Sequence, residues 1–286
     1  MKAKKYCLVF ISVAISFSAF TQDLSSLFDE EEKTEFIENT FKTSRVVNGH
    51  SVESPDKGEL LFIVSHDFGR LNQGFYELFG LDQGTIRLGF EYSITNWLCL
   101  GVGRSSHQKT YDGFLKIKLL RQSSGKRTMP FSVVYFSSIA LNSLKWQYPD
   151  RENYFTSRLA YTHELLIARK FSNSFSLQLT PAVVHKNLVE KKTDKNDIFV
   201  MGTGFRYKIT NRTTLNGEYF YILPGQVNDN IRNSIALGLD IETGGHVFQL
   251  HISNSQGMYE RAFLTETTGN FFKGDIYFGF NITRTF

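Results

Sequence analysis

The sequence predicts an all-β protein, a closed antiparallel transmembrane β-barrel of about twelve strands. Three observations predict it. Past Gly58, apolar and polar residues alternate along segment after segment, the mark of strands with two unlike faces. Aromatic residues make up 15% of the chain while prolines number only five, a balance that suits one large sheet. Tight turns and long connections also alternate along the chain, as they do when all the turns lie at one end of a barrel.

The first element precedes the barrel. Lys2, Lys4 and Lys5 stand ahead of an apolar run from Tyr6 to Phe20, followed by Thr21, Gln22 and Asp23. A basic start, a short apolar stretch and small residues (Ala19, Thr21) at the cleavage positions predict a removable secretory signal over residues 1–21. The run is short for a bilayer-spanning helix, which needs about 20 residues. A buried N-terminal helix is the alternative. Loss of the three lysines leaves 29 basic against 28 acidic residues, so charge gives no reason to expect nucleic acid as a partner. Cys99 is then the sole cysteine, which excludes an internal disulfide.

Residues 22–58 form a second element. Asp29 to Glu32 is an acid cluster, and residues 41–57 read as an ordered linker through Asn48, Gly49 and His50. This segment is expected at the periplasmic mouth of the barrel, or partly inside it as a plug. A short amphipathic helix or a solvated tail both suit its acidic part.

The barrel follows over residues 59–286. Its strands are expected near 59–68, 85–94, 98–106, 114–122, 131–142, 156–171, 175–188, 197–209, 214–223, 233–243, 246–255 and 273–285. Ile86, Leu88, Phe90 and Tyr92 oppose Arg87, Gly89, Glu91 and Ser93; Ile235, Leu237, Leu239 and Ile241 oppose Ala236, Gly238 and Asp240. Gly244-Gly245 is a two-residue hairpin turn, and the links at 95–96, 172–174 and 211–212 are nearly as short. Longer links are expected at 69–84, 107–113, 143–155, 189–196, 224–232 and 256–272, with a compact one at 123–130.

The two faces decide the solvent. Small residues crowd the polar face, among them Gly101, Gly103, Gly202, Gly204, Ala236 and Gly238, and the large apolar residues take the other face. A concave polar lumen and a lipid-facing exterior fit that division, whereas a soluble lipocalin-like barrel or sandwich would reverse it. Trp97, Trp146, Tyr154, Phe171 and Phe175 suit interfacial girdles. Pro181 falls inside the seventh strand, where a missing N–H is expected to be absorbed by a bulge. The last strand alternates to its final residue, Phe286, because it must close the barrel against the first.

The stretches "RVVNGHSVES", "GLDQGTIRLGFEY", "GVGRSSHQKTYDGFLKIKLLRQ", "LLIARKFS" and "DIETGGHVFQLHISNSQGM" resemble a family of Gram-negative outer-membrane β-barrels with no assigned function, over about residues 41–286. The resemblance implies the barrel fold and an outer-membrane location, with outer-membrane lipid around the wall. Barrels of this class commonly end in an aromatic residue that the assembly machinery reads, which would make Phe286 its contact. The family brings no catalytic or binding residue.

The chemistry is therefore read from the lumen. Arg87, Glu91, Lys116, Lys118, Arg206, Lys208, Glu218, Asp240 and Asp275 share the inward parity and carry both signs. They either pair and hold the lumen shut or line a narrow, partly hydrated polar path. His251 and Ser253 could pair as base and nucleophile in an outer-membrane hydrolase, but their parity points them away from lipid. "RSSHQKTYDG" over residues 104–113 reads as a loop held by its own hydrogen bonds, with a ligand-binding or constriction loop as the alternative. The histidines show no metal-ligand spacing, and no cofactor is expected. The expected function is passage or binding of a small solute, without enzymatic activity. The alternative is a non-transporting anchor whose residues 22–58 dock a periplasmic partner.

Overall fold

A computed structural model describes residues 33–189, 191 and 194–286. The expected signal over 1–21 and the acid cluster at 29–32 lie outside the described residues. In chain order the strands are β1 (Thr34–Phe36), β2 (Leu60–Arg70), β3 (Gly84–Ser93), β4 (Leu98–Ser105), β5 (Thr110–Leu120), β6 (Ser123–Gly125) and β7 (Ser132–Asn142). They continue as β8 (Leu159–Lys170), β9 (Phe175–Lys186), β10 (Asp197–Lys208), β11 (Thr213–Ile222), β12 (Ser234–Thr243), β13 (His246–Ser253) and β14 (Tyr277–Thr285). A short helix, α1 (Glu260–Thr265), lies between β13 and β14.

Twelve of these strands close into one antiparallel barrel, β2 to β5 followed by β7 to β14, and β14 returns to β2. Closure runs from Tyr277↔Arg70 to Thr285↔Leu61, and beyond it Phe286 and Leu60 exchange both backbone hydrogen bonds, at 2.8 and 3.1 Å. The chain is thus paired to its last residue, whose ring points out of the barrel, 62% exposed. Strands of eight to twelve residues suit a tilted bilayer crossing, which takes about nine to eleven. The outward residues of β3 and β4, such as Leu88, Phe90, Leu100 and Val102, are exposed and apolar. Among the described residues no helix is long and apolar enough to cross a membrane. The wall crosses with strands, and closure leaves no unpaired edge in the hydrocarbon.

Tight turns gather at the end of the barrel where β2 begins and β14 ends, which we call the turn end. The opposite loop end carries the longer connections. Three expectations fail here for local reasons. Pro181 sits in β9 without a bulge. Met201↔Pro181 keeps the pairing with β10, and the β8–β9 ladder lapses between Glu164↔Ala182 and Ile167↔Leu179 in unchanged register. The proline therefore costs ladder bonds on the β8 side only. The bulges fall instead between Lys118 and Leu120 in β5 and between Tyr277 and Gly279 in β14. The expected long link at 107–113 is a tight connection, because β5 already starts at Thr110 and Gln108 and Lys109 turn the chain with positive φ. The compact link near 123–130 contains β6, which pairs with β1 to make a two-stranded flap at the turn end.

The barrel interior is packed. Phe41, Val46 and Val52, from the segment before β2, join Phe114, Val134, Phe136, Leu166 and Ala168 of the wall in one apolar cluster. Phe263 and Leu264 of α1 join Val184, Ile198, Val200, Phe220 and Ile222 in another. Residues 39–53 thus enter the lumen from the turn end, and the 254–276 connection folds in from the loop end. The inner face of β7 to β11 mixes polar residues with large apolar ones that the small-residue reading did not anticipate. Val134, Phe136, Leu166, Val184, Ile198, Val200, Phe220 and Ile222 are buried there because they face folded protein.

Candidate functional site

The lumen is the candidate site, and its chemistry is the contact between the wall and residues 39–53. Small inward residues make the contact close. An added Cβ would lie 3.3 Å from Val46 at Gly204 and 3.2 Å from Val47 at Gly238, so side chains there would push the inner segment away.

The wall holds this segment through its main chain. Glu218 of β11 accepts the backbone N–H groups of Val47 (3.1 Å), Asn48 (2.8 Å) and Gly49 (3.0 Å). Three consecutive N–H groups around one carboxylate form an anion nest, which the tight Asn48-Gly49 turn creates. Lys116 of β5 donates to the carbonyls of Ser44 (3.0 Å) and Glu53 (2.9 Å). Arg206 of β10 donates to the carbonyls of Asn39 (2.8 Å) and Thr40 (3.1 Å). Gln178 of β9 accepts from Val52 N and donates to His50 O, while Gln249 and Asn281 reach Val46 O and Val47 O.

The remaining expected lumen residues divide. Arg87 is buried and pairs with Asp112 of β5, donating from Nε at 3.0 Å and making a second contact through Nη2. Glu91 is buried with Arg45 Nε 4.0 Å away. Asp240 accepts from Thr214 (3.1 Å) and Gln249 (2.6 Å). Lys118 and Lys208 are only half-buried near the turn end, where Lys118 lines a vestibule of about 460 Å³ beside residues 37–44 and 52–56. Asp275 is not in the lumen. β14 starts at Tyr277, four residues later than expected, after Gly274 turns the chain in the left-handed region, and Asp275 caps the loop end. It accepts from Asn270 N (2.9 Å) and Asn72 Nδ2 (2.8 Å) and lies 3.5 Å from Arg70.

Where the two inserted pieces meet, one carboxylate serves both. Glu260 Oε1 of α1 lies 3.2 Å from Arg45 Nη1 and 3.2 Å from His50 Nε2, both on the inner segment. The His50 ring sits against Phe114 and Phe136, with centroids 4.5 and 4.3 Å away. Burial, then the cations of Arg45, Lys116 and Arg87, holds the His50 imidazole well below its ordinary value of 6.5. Burial likewise pushes the Glu260 carboxyl up, against the pull of Arg45. Burial would also raise Glu266, but Lys186 and Arg261 outweigh it and hold that carboxyl below its usual range.

Sequence reasoning missed Arg45, His50 and Glu260, whose segments carry no strand pattern. It missed Asp67 as well. His251 Nε2 contacts Asp67 Oδ1 at 2.7 Å across β14, where Gly279 leaves room, since a Cβ there would lie 2.0 Å from Asp67 and 2.5 Å from His251. Ser253 Oγ instead meets Ser255 N and Asn48 Nδ2. The 104–113 stretch keeps hydrogen bonds of its own, from His107 N to Ser105 Oγ (3.1 Å) and from Lys109 N to Ser106 O (3.1 Å), and Gln108 also ties it across the loop end by donating to Glu266 (3.1 Å).

The chain resembles several solved barrels in overall form. The NanC porin matches at 9% identity with a TM-score of 0.49, covering 79% of this chain and 98% of that one. The KdgM porin matches at 11% and 0.47, covering 80% and 99%. An outer-membrane channel from Pseudomonas putida F1 matches at 13% and 0.48, covering 82% and 98%. A comparison with curated proteins finds no match. A family profile, described as "Membrane bound beta barrel domain (DUF5777)", matches residues 41–286. That stretch takes in most of the luminal segment as well as the barrel, and the chain belongs to this family of membrane-bound β-barrels.

Proposed function

We propose that this protein is an outer-membrane channel for small solutes, closed at rest, with residues 39–53 as the movable obstruction. In that membrane the turn end faces the periplasm and the loop end the exterior. The observation that carries the reading is how the segment is held. Glu218, Lys116, Arg206, Gln178, Gln249 and Asn281 all bind main-chain groups of residues 39–53. A typical intramolecular hydrogen bond contributes only about 0.5–1.5 kcal/mol net, because water replaces it when it opens. Release would wet a wall that is already polar on its β12–β14 and β2–β5 side. No hydrolysis belongs to the proposal, since Ser253 Oγ meets Ser255 N and Asn48 Nδ2 and both Ser253 and His251 are buried inside the barrel, away from lipid.

The experiment is current through planar bilayers containing the full-length protein. Wild type is expected to be mostly closed at neutral pH, and Glu218→Ala to conduct. Silence of both would remove the channel. The closed lumen also suits a second reading, a barrel that only anchors a periplasmic partner through the β1–β6 flap at the turn end. Pull-down from periplasm by wild type but not by a Thr34→Pro, Phe36→Pro variant would favour it.

A further inference from the structure

We propose that the emptied lumen is a peptide-binding site and that residues 39–53 occupy it as a built-in peptide ligand. The inference rests on the gated-channel reading and adds the solute class to it.

The argument starts from what the wall's charges meet. Glu218 and Lys116 are buried, yet neither pairs with an opposite charge from the segment it holds. Glu218 meets three N–H dipoles, and Lys116 and Arg206 each meet two carbonyls. Gln178 presents its carbonyl to one backbone N–H and its amide to the carbonyl two residues before, as a neighbouring strand would. The carbonyl and single-amide contacts are available in any polypeptide, and the three N–H groups at Glu218 in any that can turn tightly, as Asn48-Gly49 does. A carbohydrate has no row of N–H groups to wrap the Glu218 carboxylate, and a polyanion would meet that carboxylate with no donors of its own to offer. The charged side chains of the segment lie off this central stretch. Lys42 pairs with Glu242 near the turn end, and Arg45 turns toward Glu260 and Glu91. Over Val46 to Val52 the charged and amide side chains of the wall therefore read main-chain groups, beside side-chain contacts of Asn48 with Ser253 and of His50 with Phe114 and Phe136, and Gly204 and Gly238 leave space for side chains of about valine size.

The test uses the full-length protein opened by substitution. A Cβ at Gly49 would lie 2.7 Å from the Phe220 ring, so Gly49→Val should unseat the segment while leaving every wall residue in place. Glu218→Ala serves as the second opened variant. Three probes are added to the open channel: a synthetic peptide with the sequence of residues 39–53, a peptide of the same composition in scrambled order, and maltohexaose. Both peptides are expected to block the Gly49→Val current at similar concentrations, and maltohexaose at least about tenfold more weakly. Block should weaken in Glu218→Ala, which lacks the carboxylate nest. Equal block by maltohexaose, block by the authentic sequence alone, or no block of a conducting variant would each overturn the peptide proposal and leave the channel. If neither variant conducts, the channel reading falls and takes this one with it.

Discussion

The two pieces of chain inside the barrel are held by different physics. Residues 39–53 rest largely on hydrogen bonds from polar wall side chains to their main chain, beside an apolar cluster through Phe41, Val46 and Val52 and the His50 ring on Phe114 and Phe136. α1 rests on packing, with Phe263 and Leu264 against Val184, Ile198, Val200 and Phe220, and Tyr259 and Ala262 against Ala140. Water can replace the first kind of contact at small net cost, whereas exposing apolar area costs about 25 cal/mol per Å². The difference teaches which piece can move. On the gated-channel proposal, the segment from the turn end is the piece that leaves and α1 is the piece that stays.

The largest effect should come from attacking the lid. Phe263→Ala removes a fully buried ring that stacks near Phe220 at 5.2 Å, and should cost about 3–5 kcal/mol. Heat-modifiable gel migration would read this as a lower unfolding temperature. If Phe263→Ala instead opens the channel with unchanged stability, the two pieces have exchanged roles.

Gly279→Ala comes next. Its methyl cannot sit 2.0 Å from Asp67 and 2.5 Å from His251, so the wall at β13, β14 and β2 must spread and the buried pair must part. Stability should fall by about 1–3 kcal/mol, the range for overpacking, without a gain in current.

Glu218→Ala should cost the barrel little and open the lumen. It leaves three N–H groups without an acceptor in the seated state, each worth about 1–3 kcal/mol, and releasing the segment hydrates them. The readout is open probability, and an unfolding temperature that drops as far as in Phe263→Ala would make this segment structural.

The smallest effect is pH. Seated, His50 stays neutral well below 6.5, while in the released segment it titrates near that value. Release therefore takes up a proton, and falling pH from about 6.5 downward should favour the open state; above that window His50 contributes no pH dependence. His50→Gln should flatten the acid limb of the current–pH curve. Glu260 works with the opposite sign, since its raised carboxyl disfavours the seated α1 as pH rises above 4.5. A curve that opens only toward alkaline pH would place the moving part at the lid.

Particular residues mark how much of this was legible. Alternation such as Ile86 to Ser93 located the strands, because a period of two is written locally and needs no partner to be read. The Gly244-Gly245 turn and the pairing to Phe286 were readable for the same reason. Arg87, Glu91, Lys116, Arg206, Glu218 and Asp240 were named as lumen residues from parity alone. The position of Asp275 was not readable, since a strand start drifts when a turn such as Gly274 precedes it.

What the sequence determined by itself was the barrel, its strand number and which face meets lipid. Each follows from patterns within ten or so residues. Only the tertiary structure decided that the lumen is filled, that Glu218 holds three N–H groups from a segment 169 to 171 residues away, and that Glu260 of one inserted piece meets Arg45 and His50 of the other. Those contacts bring together stretches with no periodicity of their own, and their partners are set by closure of the wall around them. An inward leucine or glutamate reads the same in sequence whether it faces water or folded chain. The space inside a closed barrel is a property of all twelve strands at once, and no local pattern records what fills it.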